Sequence, residues 1–123
     1  MDRVPEDPEI EDRIVMEIVV DAYGPEEQAM GWYTVLDERL AFPFAARCIT
    51  ERSVSPLRPG ERVTVVGMAD DQDCMREMVV EVEWHGRRFG VPLVQLEALD
   101  PDEETEQAIG DWHYWVARGY PLG

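Results

Sequence analysis

The first apolar pattern along the chain has the period of a helix. Ile10, Ile14, Ile18 and Ala22 recur four apart, with Val15 and Val19 alongside, which predicts a core-facing helix from Ile10. The same stretch is dense in β-branched residues and also suits a strand. In "YGPEEQAMGWYTVLDERL", Gly24 can cap a second helix and Pro25 fits its first position. Glu26 and Glu27 favour the N-terminal dipole. Ala29, Met30, Tyr33, Leu36 and Leu40 form its apolar stripe, and Pro43 lies beyond its end.

After Pro43 the period changes. "FAARCITER", "ERVTVVGMA", "EMVVEVEW", "RRFGVPL" and "QLEAL" are short apolar segments, with "RPGE" at 58–61 and "HGRR" at 85–88 as the clearest turns. Glu81 and Glu83 alternate with Val80, Val82 and Trp84, the pattern of a half-exposed antiparallel strand. Five such strands predict a small, strongly bent SH3-like barrel or roll. "VPLVQLEAL" fits its closing piece, a short turn leading into the last strand. A C-terminal helix follows, with Asp100 as N-cap, Pro101 first and Glu103 completing a capping box. Ile109, Trp112, His113 and Val116 give it an aromatic face, and Gly119 stops it. The expected fold class is α+β: N-terminal helices, the barrel, then one helix. Residues 1–9 read as a flexible tail and 10–123 as a single domain.

Charge adds what the pattern lacks. The 123 residues carry 27 acidic against 11 basic side chains, a formal net charge of −16. Such a surface repels phosphate backbones and anionic membranes and concentrates cations. It disfavours nucleic acid and membrane, and points to cations or basic proteins as partners. No apolar run reaches the roughly 20 residues that span a bilayer, and "MDRVPEDPEIEDR" has neither the basic nor the apolar region of a signal peptide. The expected location is the cytoplasm, with Cys48 and Cys74 as buried free thiols. No G-x-S-x-G elbow accompanies Ser53 or Ser55, and His85 reads as a turn residue and His113 as a packed one. Two Cys and two His at these spacings make no zinc site, so an enzyme is not expected.

The carboxylates pose a sharper question. Asp37 and Glu38 fall in the last turn of the second helix, where the dipole favours cations instead. Either they are solvated and offset by Arg39, or a bound cation uses them together with unsatisfied helix-end carbonyls near Leu40. Asp70, Asp71, Asp73 and Glu77 form a second group. Its Asp–x–Asp start matches an EF-hand loop, but Met75 and Arg76 then break the pattern. It reads as a solvated acidic loop or a looser cation site. In "DPDEETE", Asp100, Asp102 and Glu103 have a structural role at the helix start, and Glu104 and Glu106 are surface charges. Asp111 is placed to orient a neighbour.

Taken together, "EIVVDAYGPEEQAMGWYTVLDERLAFPF", "GMADDQDCMREMVVEVEW", "VPLVQLEAL" and "DEETEQAIGDWHYW" resemble the small acidic calcium-binding proteins first recognised in filamentous cyanobacteria. There the family member is a calcium buffer linked to heterocyst differentiation. The resemblance covers residues 14–116, and "AMGWY", "FPF" and "DWHYW" are its most specific motifs. It implies Ca2+ binding without an EF-hand on a mixed helical and barrel-like fold. The family's acidic pair before "FPF" falls on Asp37 and Glu38, which makes them the first choice for ligands, with Leu40 supplying a carbonyl. Asp70, Asp71 and Asp73 would form a second, looser site. The competing expectation is an acidic SH3-like interaction module that binds a basic protein without metal.

Overall fold

The structure, a computed structural model, describes residues 4–20 and 22–119. Residues 1–3, 21 and 120–123 lie outside it. So does the matching part of the expected 1–9 tail, one position of the first helix, and the end of the expected domain.

Helix α1 (Pro8–Arg13) begins earlier than the apolar period suggested, inside the segment read as a tail. Asp7 is its N-cap and accepts the Glu9 and Ile10 N–H groups. The expected continuous helix from Ile10 to Ala22 is also corrected. Its second half is a π-helix, Ile14–Ile18, in which the Val19 N–H bonds the Ile14 carbonyl five residues back at 3.0 Å. Ile14 and Ile18 are its buried residues, so the period-four reading located the core face and missed the widened turn.

Helix α2 (Pro25–Arg39) has Gly24 as its cap and Pro25 in its first turn, as expected. Its core face is Ala29, Trp32, Val35 and Leu36, and Met30 faces solvent. Of the expected stripe, Ala29, Leu36 and Leu40 are buried and Tyr33 packs against the core, while Trp32 and Val35 take the place given to Met30. Gly31 lies against the π-helix, and a Cβ built on it would stand 2.3 Å from the Ile18 carbonyl oxygen. That contact requires glycine.

The five expected strands are β1 (Phe44–Cys48), β2 (Arg62–Met68), β3 (Val79–Trp84), β4 (Arg87–Pro92) and β5 (Leu96–Ala98). They form one antiparallel sheet in the order β4-β3-β2-β1-β5. Its two outer strands are consecutive in the chain, joined only by a 3-10 turn at Leu93–Gln95. Three residues span about 10 Å, less than the width of five strands about 4.8 Å apart, so the sheet must be strongly bent. Between β3 and β4, His85 and Gly86 both have positive φ (50° and 76°), the mirror-image turn that matches strand twist. His85 is thus a turn residue.

The second corrected expectation is the start of α3 (Glu103–Ala117). Its N-cap is Asp102, which accepts the Thr105 N–H at 2.7 Å. Asp100 instead takes a left-handed conformation (φ 50°) in the approach, and Pro101 precedes the cap. α3 seals the core by placing Trp112 edge-to-face on Trp32, with ring centroids 5.0 Å apart, and Trp115 at 5.6 Å. Asp111 is buried and forms a two-pronged ion pair with Arg13 of α1, at 2.5 and 2.9 Å. Removing Arg13 strands the buried Asp111 carboxylate, at about 3–5 kcal/mol. His113 bonds the Leu96 carbonyl at 2.9 Å, so it is a packed histidine. Both cysteines are buried and free.

Candidate functional site

α2 runs as a helix to Arg39, so Asp37 and Glu38 do stand in its last turn, both exposed. What happens to the backbone beyond them decides what they can do. The carbonyls of residues 37, 38 and 39 would be met, in a longer helix, by the N–H groups of residues 41, 42 and 43. None of these is supplied. The Ala41 N–H donates to the Thr105 hydroxyl of α3 at 3.0 Å. The Phe42 N–H turns back to the Leu40 carbonyl at 3.0 Å, and Pro43 has no N–H. Three neutral oxygens are thus left without helical partners beside two carboxylates. The Leu40 carbonyl, occupied by Phe42, retains one lone pair.

The cation next to this pair is directed elsewhere. The Arg39 guanidinium donates to Glu17 at 2.8 Å, so it is not available to offset Asp37 and Glu38 fully. The helix end stays electronegative from both backbone and side chains.

The second acidic group does not stand apart from the first. Asp71–Cys74 is a 3-10 turn packed against α2. Asp70 caps it through Oδ1, which accepts the Gln72 N–H at 3.0 Å, and the Asp73 N–H closes on the Asp70 carbonyl at 2.9 Å. The link to α2 is Tyr33, one turn before Asp37, whose hydroxyl donates to the Ala69 carbonyl at 3.1 Å. Partial burial pushes the Tyr33 hydroxyl above its ordinary pKa, and Asp37, the Cys74 thiol, Asp71 and Asp70 push it the same way. One hydroxyl feels the charges of both acidic groups because α2 packs on the 3-10 turn. Sequence reading placed these groups at separate sites and gave Tyr33 only a packing role. Thr105 was not singled out, and Phe42 entered only as part of the "FPF" motif.

The third acidic group stays outside this arrangement. Asp102 is committed to the α3 cap, and hydrogen bonds from the Thr105 N–H and hydroxyl hold its carboxyl below its usual pKa. Of the second group, Glu77 also stays outside, held by the two terminal guanidinium nitrogens of Arg52 at 3.0 and 3.3 Å.

The donor set of Asp37, Glu38, Asp70, Asp71, Asp73 and the helix-end carbonyls is all oxygen, which suits a hard cation such as Ca2+ with its six to eight oxygen ligands. Among the described residues, no three Asp, Glu, His or Cys side chains already form a cage. Backbone oxygens and water must therefore complete any coordination shell.

Comparison with known proteins agrees with this chemistry. A family model for calcium binding, named for CcbP, matches residues 12–116. The crystal structure of Anabaena CcbP is 43% identical, covers 98% of each chain and aligns with a TM-score of 0.86. A structure of a calcium-binding protein in its calcium-binding form is 42% identical, again covers 98% of each chain, and has a TM-score of 0.85. No curated protein matches the chain.

Proposed function

The chain belongs to the CcbP family of calcium-binding proteins, and from that premise we propose that it binds Ca2+ at one composite site, without catalysis, as a buffer or sensor. Asp37 and Glu38 are the principal carboxylates, and the carbonyls at the end of α2, including that of Leu40, supply neutral oxygens. Asp70, Asp71 and Asp73 reach the same ion, or a neighbouring one, from the 3-10 turn. The observation that carries this reading is the Tyr33–Ala69 hydrogen bond, which ties α2 to the acidic 3-10 turn packed against it. Acidic clusters on two packed elements repel each other, and a bound cation relieves that repulsion. Bound Ca2+ supplies charge neutralisation, and this chain's own residues position oxygens for it.

Two buried free thiols support a reducing, cytoplasmic setting. Among the described residues, His85 lies in a turn and His113 is bonded to Leu96, so neither histidine is paired with a nucleophile. The test is calorimetric titration of chelator-stripped protein with Ca2+ in excess Mg2+. A saturable isotherm abolished by Asp37→Asn with Glu38→Gln supports the site. An isotherm unchanged by that double substitution removes those residues from it, and a diffuse heat erased by salt removes the site altogether.

A further inference from the structure

The π-helix leaves an apolar surface that the calcium reading does not use. Val15 is 54% exposed, Met16 64%, Val20 53% and Tyr23 88%. Four large exposed apolar side chains within nine residues form a patch of the kind that marks an interaction site. The sequence explains why they face outward. Ile14 and Ile18 take the core-facing positions, and with Val15, Met16 and Val20 interspersed the segment has more apolar residues than one buried face can accept.

The charges around the patch are predominantly acidic, although Arg39 reaches Glu17 from α2. Glu9, Asp12, Glu17, Glu26 and Glu27 are all exposed on the flanking turns. Between residues 9 and 30 the sole Lys or Arg is Arg13, and it is spent on buried Asp111. The patch is therefore an apolar strip in an acidic frame, on a molecule of charge −16. That field discriminates between occupants. A second copy brings another −16 against it, and an anionic bilayer is repelled in the same way. A helix with one apolar and one basic face matches both the strip and its frame.

We propose that the exposed face carrying Val15, Met16, Val20 and Tyr23 is a docking surface for a basic amphipathic helix of another protein. It lies on the π-helix and the link into α2, and it does not depend on the Ca2+ reading. The probe is an 18-residue helical peptide of Leu and Lys with all Leu on one face, compared with a peptide of the same composition in scrambled order. Binding is followed by fluorescence anisotropy at near-physiological salt, with full-length protein and with the Val15→Ser, Met16→Gln, Val20→Ser triple variant. All three positions are exposed, and an unchanged far-UV circular dichroism spectrum checks the fold. The amphipathic peptide should bind wild-type protein at least about tenfold more tightly than the scrambled one, and the triple variant should lose that advantage. Amide shifts in labelled wild-type protein should concentrate on residues 15–23. Equal affinity for both peptides, or an advantage that survives the triple substitution, overturns the proposal by reducing the binding to charge alone. So does wild-type protein that sediments as a dimer through this face.

Discussion

The Thr105 hydroxyl accepts the Ala41 backbone N–H at 3.0 Å, across 64 residues of chain. This bond takes from α2 the donor that would close on the Asp37 carbonyl, and α3 thereby keeps the end of α2 open. Thr105 is itself buried, and its own N–H is held by Asp102. Thr105→Val keeps the shape and removes the acceptor. It should destabilise the fold by about 0.5–1.5 kcal/mol, the net worth of one hydrogen bond, because Ala41 is exposed and its N–H can find another partner. It should also weaken Ca2+ binding, since the freed Ala41 N–H can return to the Asp37 carbonyl. Chemical denaturation and calcium titration of one variant read the two effects separately.

If Asp37 and Asp71 serve a single composite site, their contributions cannot be independent. Asp37→Asn and Asp71→Asn, alone and combined, form a double-mutant cycle on Ca2+ affinity. The expected coupling exceeds about 0.5 kcal/mol, the limit within which distant sites add. Strict additivity, with each substitution removing its own step from the isotherm, would establish two separate sites.

Two glycines in mid-helix should respond to alanine with opposite sign. At Gly31 a Cβ meets the Ile18 carbonyl oxygen at 2.3 Å, whereas at Gly110 of α3 no other atom comes within 4 Å. Gly31→Ala should cost about 1–3 kcal/mol through overpacking against backbone. Gly110→Ala should stabilise by about 0.4–1 kcal/mol by restricting the unfolded chain. Urea midpoints at equal m-values compare them directly.

Burial pushes the His113 pKa below its ordinary 6.5, against the opposing effect of its bonds to Leu96 and Leu93 and the charge of Glu97. The folded state therefore binds this proton less readily than the unfolded state. Its contribution to stability is full above about 6.5 and is lost as pH falls toward the folded pKa. His113→Gln should remove that component, so the gap between wild-type and variant melting temperatures should change with pH below 6.5 and stay constant above it.

Ca2+ affinity should fall as salt is raised, since screening acts on the long-range attraction of a chain at −16. At fixed low salt, Ca2+ at 100 times its Kd should raise stability by about 2.7 kcal/mol. Thermal melts with and without chelator at several ionic strengths measure both.

Much of this protein was legible in its sequence. The period-two alternation of Val80, Glu81, Val82 and Glu83, the apolar runs and the His85–Gly86 turn located all five strands, because strand faces and turn geometry are dictated by neighbouring residues. Gly24–Pro25 located the start of α2 for the same reason. Asp37 and Glu38 were visible as a local electrostatic fault, and "FPF" and "DWHYW" carried the family resemblance. The errors arose where local preference was overridden. The Ile14–Ile18 turn widened against the close approach of Gly31, which no helical period reports. Asp100 and Asp102 are both sound caps by composition, and the chain chose Asp102, bonded to Thr105.

By itself the sequence determined the elements, the charge and the oxygen-donor chemistry, since each depends on residues within a few positions of one another. Only the tertiary structure decided which oxygens meet. Tyr33 reaches Ala69 beside the Asp70–Asp73 turn, and Thr105 reaches Ala41 beside Asp37. Those pairs are 36 and 64 residues apart in the chain, and they meet because burial of Trp32, Trp112 and the sheet's valines packs α2 between them. The acidic residues are written locally, and the contacts made beside them follow from the packing of the core.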